Sequence, residues 1–204
     1  FDVAGNVLLR AVEAEPDNAT AYFLYGFQWH LQNELLRAIG PLEKARALNP
    51  ADARPSLYLA LTRESLGEFE AALPLYREAI AREEAAGNVQ ADTLLSFARS
   101  LFVLDRLDEA ESLIERAVRI DPNSRDPHYE KARLCLKRGR PGDAATAARQ
   151  ALERPATGIT DWQVHYLLVQ AYRLSRNAAR ADWHAEEMRR LEGPSGRTVP
   201  GRSR

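Results

Sequence analysis

Residues 91–124 read ADTLLSFARSLFVLDRLDEAESLIERAVRIDPNS. Apolar or small side chains recur there three, four and seven residues apart, which is the spacing of one face of an α-helix. The first such face comprises Leu94, Phe97, Ala98 and Leu101. A second face follows with Ala110, Ile114 and Ala117. Pro122 then ends the second helix, because proline cannot continue one. The segment therefore predicts two antiparallel helices joined by a short turn.

The same pattern recurs along the chain with a period of thirty-four residues. We divide the sequence into five repeats at 19–52, 53–86, 91–124, 125–158 and, in a weaker form, 162–193. Four residues, 87–90, are inserted between the second and third repeats. The period predicts five antiparallel helix pairs in succession.

Small residues on the helical faces predict how these pairs pack. Alanine or glycine at a helix crossing lets two backbones approach, while larger side chains interlock around that point. One pair cannot bury its apolar face alone, so successive pairs must stack and leave a concave side. We expect an all-α fold, a right-handed superhelical solenoid of antiparallel helix pairs. Positive φ angles are expected at the turn glycines Gly67, Gly87, Gly139 and Gly142.

Repeats of this length and pattern resemble the tetratricopeptide repeat (TPR) family. The second repeat carries the resemblance with Leu59, Ala60, Gly67, Phe69, Ala72, Tyr76 and Ala79. The second repeat departs from the family at Arg63, where an apolar residue is usual, and at Glu84, where proline is usual. The fourth repeat likewise has Ala156 in place of proline. The resemblance implies a protein-binding scaffold without a catalytic site. In this family, ligand peptides lie in the concave groove, along positions 2, 5, 6, 9, 12 and 13 of each first helix.

Those positions give the candidate peptide-binding residues of this chain. Position 5 is occupied by Phe23, Leu57, Leu95, Tyr129 and Tyr166. Position 9 is occupied by Phe27, Leu61, Arg99, Arg133 and Gln170, and His30 and Tyr58 complete an aromatic cluster with Phe23 and Phe27. We expect that cluster to be exposed and to bind apolar anchors of a ligand, whose carboxylates would lie near Arg99 and Arg133. Alternatively, position 5 packs on the neighbouring helix and the arginines pair with Asp92, Asp126 or Glu130.

The family's two-carboxylate clamp for chaperone tails is not expected here, because position 5 is never lysine and position 9 is never asparagine. The ligand is then a protein or peptide of another kind.

The two ends of the sequence differ from the repeats. Residues 1–18 fit the second half of a repeat, which predicts an orphan helix whose partner lies upstream in a longer protein. Residues 194–204 are rich in Gly, Pro and Arg, and we expect a flexible tail. These ends leave an alternative function open, in which the chain is a structural or regulatory arm of a larger enzyme or assembly. Such an arm would associate through an exposed end formed by Phe1 and Leu8.

Composition argues against several other classes of function. The 28 basic and 29 acidic side chains nearly cancel, which gives no reason to expect nucleic acid or an anionic membrane as partner. A single cysteine, Cys135, excludes a disulfide framework and a cysteine zinc site. The four histidines, His30, His128, His165 and His184, show no metal-ligand spacing, and no glycine-rich phosphate loop or facing acid–base pair is present. We therefore expect no metal, no cofactor and no enzyme activity, and cytoplasm and periplasm remain equally open as compartments.

Overall fold

The computed structural model describes residues 3–192, with side chains from residue 5 onward, and every regular element in that range is an α-helix. The helices are α1 (Val3–Ala14), α2 (Ala19–Leu31), α3 (Leu35–Leu48), α4 (Ala53–Ser65), α5 (Phe69–Ala85), α6 (Ala91–Val103), α7 (Leu107–Ile120), α8 (Arg125–Lys137), α9 (Pro141–Leu152), α10 (Asp161–Leu174) and α11 (Ala178–Glu192). The expected all-α class of helical pairs is confirmed. Phe1 and the predicted tail, residues 194–204, lie outside the described residues.

The chain forms two compact units, which we call unit 1 and unit 2. Unit 1 ends at Ala110 and unit 2 begins at Glu111, so the boundary lies within α7. In unit 1, consecutive helices from α1 to α6 pack on each other, and α4 also contacts α2 and α6. In unit 2, α8, α9, α10 and α11 pack in succession and α8 also contacts α10. Each unit thus brings the first helices of neighbouring pairs side by side, which is the arrangement that builds a binding face.

One residue in the left-handed conformation reverses the chain within each helix pair. These residues are Asn33, Gly67, Asp105, Gly139 and Arg176, with φ between 56° and 79°. Asn33 and Gly67 are thirty-four residues apart, as are Asp105 and Gly139, so the turn recurs with the sequence period. The expected positive φ is confirmed at Gly67, Gly87 and Gly139. The expectation for Gly142 is wrong, because Gly142 lies inside the first turn of α9, next to Pro141.

Gly26 shows why a small residue is needed where helices cross. A Cβ atom at Gly26 would lie 2.6 Å from Leu42 Cγ and 3.0 Å from the Leu42 backbone nitrogen. Leu42 itself is fully buried in the core of unit 1. The side chains around it are Phe23, Trp29, Ala38, Ala45 and Leu59. The absence of a side chain at Gly26 therefore sets the close approach of α2 and α3.

Alanines fill the corresponding place in unit 2. Ala144, Ala148 and Ala151 of α9 are fully buried against a core that includes Val164 and Leu168 of α10. Because these side chains are short, α9 can lie close to both α8 and α10, which it contacts. Cys135 and His128 of α8 are also buried in this unit.

The insertion before the third repeat is accommodated by Glu83. Without a proline at position 84, α5 continues to Ala85. The buried Glu83 carboxylate then accepts the backbone N–H of Gln90 at 3.0 Å and the Thr93 hydroxyl at 2.7 Å. Gln90, the N-cap of α6, makes no side-chain capping bond, so the carboxylate from α5 satisfies the start of α6 instead.

Helix α1 packs on α2 and buries Val12. Leu8, which we expected to be exposed at this end, is half-buried, whereas Val7 on the same helix is 61% exposed. The expected exposure of Leu8 is therefore wrong, and Val7 and Leu9 are exposed apolar side chains of α1 instead.

Candidate functional site

Helix α2 presents an apolar stripe in unit 1. Leu24 and Leu31 are 41% and 64% exposed, and the half-buried Phe27 lies between them at helical spacing. Helix α4, which contacts α2, adds Tyr58 and Leu61, both half-buried. We call the surface formed by Leu24, Phe27, His30, Leu31, Tyr58 and Leu61 the α2–α4 face. Its exposed leucines make it a candidate docking surface.

Ring contacts hold the aromatic part of this face together. The Phe27 and Tyr58 rings meet edge to face at 4.7 Å between centroids, and His30 meets Tyr58 in the same way at 5.6 Å. Phe23 stacks beneath Phe27 at 5.8 Å and is only 5% exposed. The cluster predicted from the sequence does assemble, but the expected exposure of Phe23 is wrong. Phe23 is a buried support for Phe27, and Phe27, His30 and Tyr58 are each half-buried.

A short hydrogen-bond chain fixes the orientation of His30. The Thr62 hydroxyl donates to the Tyr58 carbonyl at 2.6 Å, so its oxygen is left to accept the His30 Nδ1–H at 3.0 Å. This assignment leaves His30 Nε2 as an acceptor. Burial lowers the pKa of His30, which favours this neutral form. Among the described residues the Tyr58 hydroxyl has no hydrogen-bond partner, so the face offers one acceptor and one donor beside its leucines.

The other predicted ligand-binding residues of unit 1 differ in how far they are exposed to solvent. Leu57 is half-buried, whereas Leu95 is 1% exposed, so the expectation that Leu95 contacts a ligand is wrong. Arg99 is half-buried and donates to the Ser96 hydroxyl at 3.1 Å. Val103 on α6, which was not predicted, is 57% exposed.

The predicted residues of unit 2 lie on α8 and α10. Tyr129 is half-buried against the core and Tyr166 is 47% exposed. Arg133 pairs with Glu130 at 2.8 Å, which is the alternative that the sequence left open for this arginine. Trp162, which was not predicted, stacks on Tyr166 with centroids 5.7 Å apart and planes 5° from parallel.

Several of the missed residues could have been found with the same repeat positions. Leu24 is position 6 of its repeat, and Leu31 and Val103 are position 13 of theirs. The sequence prediction covered positions 5 and 9 and added only Tyr58 and His30 from the other positions. Positions 6 and 13 of the first helices therefore include the exposed Leu24, Leu31 and Val103.

Two histidines that no sequence motif links meet in the interior of unit 2. His165 and His184 lie with their Nδ1 atoms 2.8 Å apart, so one ring donates an N–H to the other. Burial lowers the pKa of both, and that of His184 falls to about 4. In the described part of the chain, no group of three or more His, Cys, Asp or Glu side chains is placed to hold a metal ion. The pair therefore acts as a neutral hydrogen bond between α10 and α11.

Cys135 has the character of a buried, unreactive thiol. It is 1% exposed, and burial raises its pKa, which disfavours the nucleophilic thiolate. Among residues 3–192, no helix combines the length and the apolarity needed to cross a bilayer.

A cleft of about 450 Å³ opens between α3, α4 and α5 in unit 1. Two arginines line it, and both already have acidic partners. Arg46 pairs with Glu78 at 3.1 Å and Arg63 pairs with Glu68 at 2.7 Å. We assign this cleft no ligand, because its cations are already matched.

Comparison with known proteins agrees with this architecture. Residues 64–134 match a family model described as tetratricopeptide repeat. The resemblance read from the sequence is thereby confirmed. No curated protein sequence matches the chain significantly.

Solved structures show the same fold at low sequence identity. YrrB, described as a TPR protein with an unusual peptide-binding site, is 17% identical with a TM-score of 0.75, over 94% of this chain and 95% of that one. BtubC (BKLC) from P. vanneervenii is 12% identical with a TM-score of 0.80, over 98% of this chain and 91% of that one. The Cut9–Hcn1 hetero-tetramer of the APC/C is 15% identical with a TM-score of 0.73, over 93% of this chain but 36% of that one.

Proposed function

We propose that this chain, with its tetratricopeptide-type fold, is a non-catalytic scaffold that binds a peptide or helix of another protein. The fold in general serves protein interaction, and the YrrB structure is described as holding a peptide-binding site. On this chain we assign binding to the α2–α4 face of unit 1. The Tyr129, Arg133 and Tyr166 side chains of unit 2 would contact a further part of a ligand.

One observation carries this proposal: the exposed leucines Leu24 and Leu31 flank an ordered aromatic cluster. Leu31 is 64% exposed on a helix whose opposite side is buried in the core. Removing one such side chain from water contributes about 1–2 kcal/mol, and an aromatic neighbour with a fixed ring adds to this. Burial of Phe23 beneath Phe27 strengthens the proposal, because a rigid ring loses little freedom when a ligand binds.

The absence of catalysis is part of the proposal. A catalytic site needs a nucleophile or a general acid and base that converge on one substrate. The buried Glu83 carboxylate instead bonds the start of α6, and the buried His165 and His184 bond each other. The three rings of the α2–α4 face supply shape and apolar area, which suit binding.

The alternative is that the chain is a structural or regulatory arm of a larger enzyme or multi-subunit assembly. The likeness to part of one chain of the Cut9–Hcn1 hetero-tetramer favours it, since that chain is much longer than this one and was solved within an assembly. In that case the α2–α4 face would be covered permanently by a fixed subunit.

The test is selection of peptides from a display library with the full chain as bait, followed by affinity measurements on three proteins. Leu31→Glu places a charge in the face, whereas Leu36→Glu places the same charge on α3, where the leucine is 75% exposed. We expect the selected peptides to be rich in apolar residues and to bind Leu31→Glu at least tenfold more weakly, because the new carboxylate must be desolvated. Leu36→Glu should bind as the wild type does. Equal binding by all three proteins would refute the assignment of peptide binding to the α2–α4 face. Turnover of a substrate by the chain would refute the proposal that it is non-catalytic.

A further inference from the structure

Helix α10 presents a second stripe, of different chemistry, in unit 2. Trp162, Tyr166, Gln170 and Arg173 follow each other at intervals of four, four and three residues, so they lie along one side of the helix. Tyr166 is 47% exposed and Arg173 is exposed. We call these four side chains, together with Tyr129 of the adjacent helix α8, the α8–α10 face.

The aromatic end of the α8–α10 face is held in place before any ligand arrives. The Trp162 indole N–H donates to the Glu192 carboxylate at 2.9 Å, which fixes the indole ring against the end of α11. Tyr166 stacks in parallel on that fixed ring and is still 47% exposed. A flat, preoriented aromatic face suits a flat, rigid ligand group.

Two hydroxyl donors accompany the rings. The phenols of Tyr129 and Tyr166 have no hydrogen-bond partner among the described residues. Burial raises the pKa of Tyr129, which keeps its phenol an O–H donor. Tyr129 and Tyr166 lie on helices that contact each other, so the two hydroxyls can donate to one ligand, and free carbonyl groups are suitable acceptors.

The far end of the stripe carries an unmatched positive charge. Arg173 makes no ion pair within the part of the chain that the structure describes, whereas Arg133 on α8 is matched by Glu130 at 2.8 Å. A ligand that reaches Arg173 gains from a carboxylate at that point. This charge complementarity distinguishes the α8–α10 face from the α2–α4 face.

We propose that the α8–α10 face binds an extended, polyproline II segment of a protein, with a proline on Tyr166 and a carboxylate at Arg173. Proline offers a flat ring, and the carbonyls of a polyproline II segment have no internal partners, so they can accept from the two tyrosine hydroxyls. A helical ligand would lack such carbonyls, because its own N–H groups already bond them.

The spacing of the helix sets the spacing of the ligand motif. Tyr166 and Arg173 are seven residues apart, which corresponds to roughly 10 Å along an α-helix. A polyproline II segment rises about 3.1 Å per residue, so it covers that distance in about three residues. The expected motif is therefore proline, two unspecified residues, then aspartate or glutamate. This inference rests on the proposed scaffold function and names the ligand of its second unit.

The test uses fluorescence anisotropy with the full chain and three short labelled peptides in one neutral background. The peptides carry Pro-x-x-Asp, Pro-x-x-Lys or Ala-x-x-Asp. We expect Pro-x-x-Asp to bind and each of the other two to bind about fivefold to tenfold more weakly, as expected for loss of one ion pair or one ring contact. Equal binding of all three peptides, or no binding of Pro-x-x-Asp, would overturn the inference.

Variants of the chain then locate the contact. Tyr166→Ala should weaken Pro-x-x-Asp binding about tenfold, and Arg173→Glu should exchange the preference, so that Pro-x-x-Lys becomes the better ligand. Arg189→Glu makes the same charge change at an exposed position of α11 and should alter nothing. Failure of the exchange would overturn the inference. Loss of Pro-x-x-Asp binding in Leu31→Glu but not in Tyr166→Ala would also overturn it, while leaving the proposed scaffold function intact.

Discussion

Replacing Gly26 with alanine should destabilise the chain, although alanine is the better helix former. In the interior of a helix this exchange by itself gains about 1 kcal/mol. At Gly26 the new methyl carbon would lie 2.6 Å from Leu42 Cγ and 3.0 Å from the Leu42 backbone nitrogen. Leu42 is fully buried, so neither its side chain nor its backbone can move away freely.

The expected size follows from these two opposing effects. Overpacking of a full core costs about 1–3 kcal/mol, and more where backbone must shift. Set against the gain in helix propensity, Gly26→Ala should lower the free energy of unfolding by about 1–2 kcal/mol. Gly142, in the first turn of α9, is the control, because a Cβ there would meet nothing within 4 Å and the next residue is not a proline. Gly142→Ala should therefore raise the free energy of unfolding by about 0.5 kcal/mol.

Urea unfolding followed by circular dichroism at the helical band measures both variants. The midpoint should fall for Gly26→Ala and rise for Gly142→Ala, with similar slopes. Measured against Leu42→Ala as the parent, Gly26→Ala should cost less than it does in the wild type, since the side-chain atom at 2.6 Å is gone and only the contact with the backbone nitrogen remains. If both glycine variants gain stability alike, the close approach of α2 and α3 at Gly26 is refuted.

Two further predictions concern unit 2. Burial lowers the pKa of His165, and lowers that of His184 to about 4. The unfolded chain, with histidine pKa near 6.5, then binds more protons, so stability is complete above that pH and falls between about pH 6.5 and 4. In His184→Gln, the loss of unfolding free energy between about pH 6.5 and 4 should be smaller by about 1–3 kcal/mol. An unchanged slope of unfolding free energy against pH would contradict this prediction. Arg176 has φ of 56°, where a side chain is strained. Arg176→Gly should therefore raise Tm by about 2–4 °C in a thermal melt, and a lower Tm would contradict the strain.

Much of the fold follows from the sequence because each structural requirement is repeated. Ala38, Ala45 and Gly26 mark the crossing of α2 and α3, and the same kind of residue recurs one period later at Ala72 and Ala79. A single stripe of alanines would be ambiguous between many packings. Stripes at a constant interval of thirty-four residues allow only stacked helix pairs.

The solvent exposure of each candidate side chain could not be predicted in the same way. A repeat position fixes the direction of a side chain, but its exposure depends on the sizes of side chains on neighbouring helices. Leu95 and Tyr166 share position 5, yet Leu95 is 1% exposed and Tyr166 is 47% exposed. Phe23, at the same position, is covered by Phe27 and Tyr58, whose rings happen to be large.

Contacts between residues on different helices also could not be predicted from the repeat pattern. His165 and His184 are nineteen residues apart on two helices, and no motif links them. Their meeting depends on the register of α11 against α10, which the weakest of the five repeats leaves undetermined. The same holds for Trp162, whose ring is fixed by Glu192 at the far end of α11.

Photo-crosslinking tests the α2–α4 face most directly. A photoreactive phenylalanine analogue is placed at Leu31 in one protein and at Leu36 in another, and each is irradiated with a peptide selected by the wild-type chain. These leucines are 64% and 75% exposed, so both sites are equally open to a bystander. If the α2–α4 face binds the ligand, the peptide should be captured at Leu31 and not at Leu36. Capture at Leu36 alone, or to the same extent at both positions, would contradict the assignment of protein binding to this face.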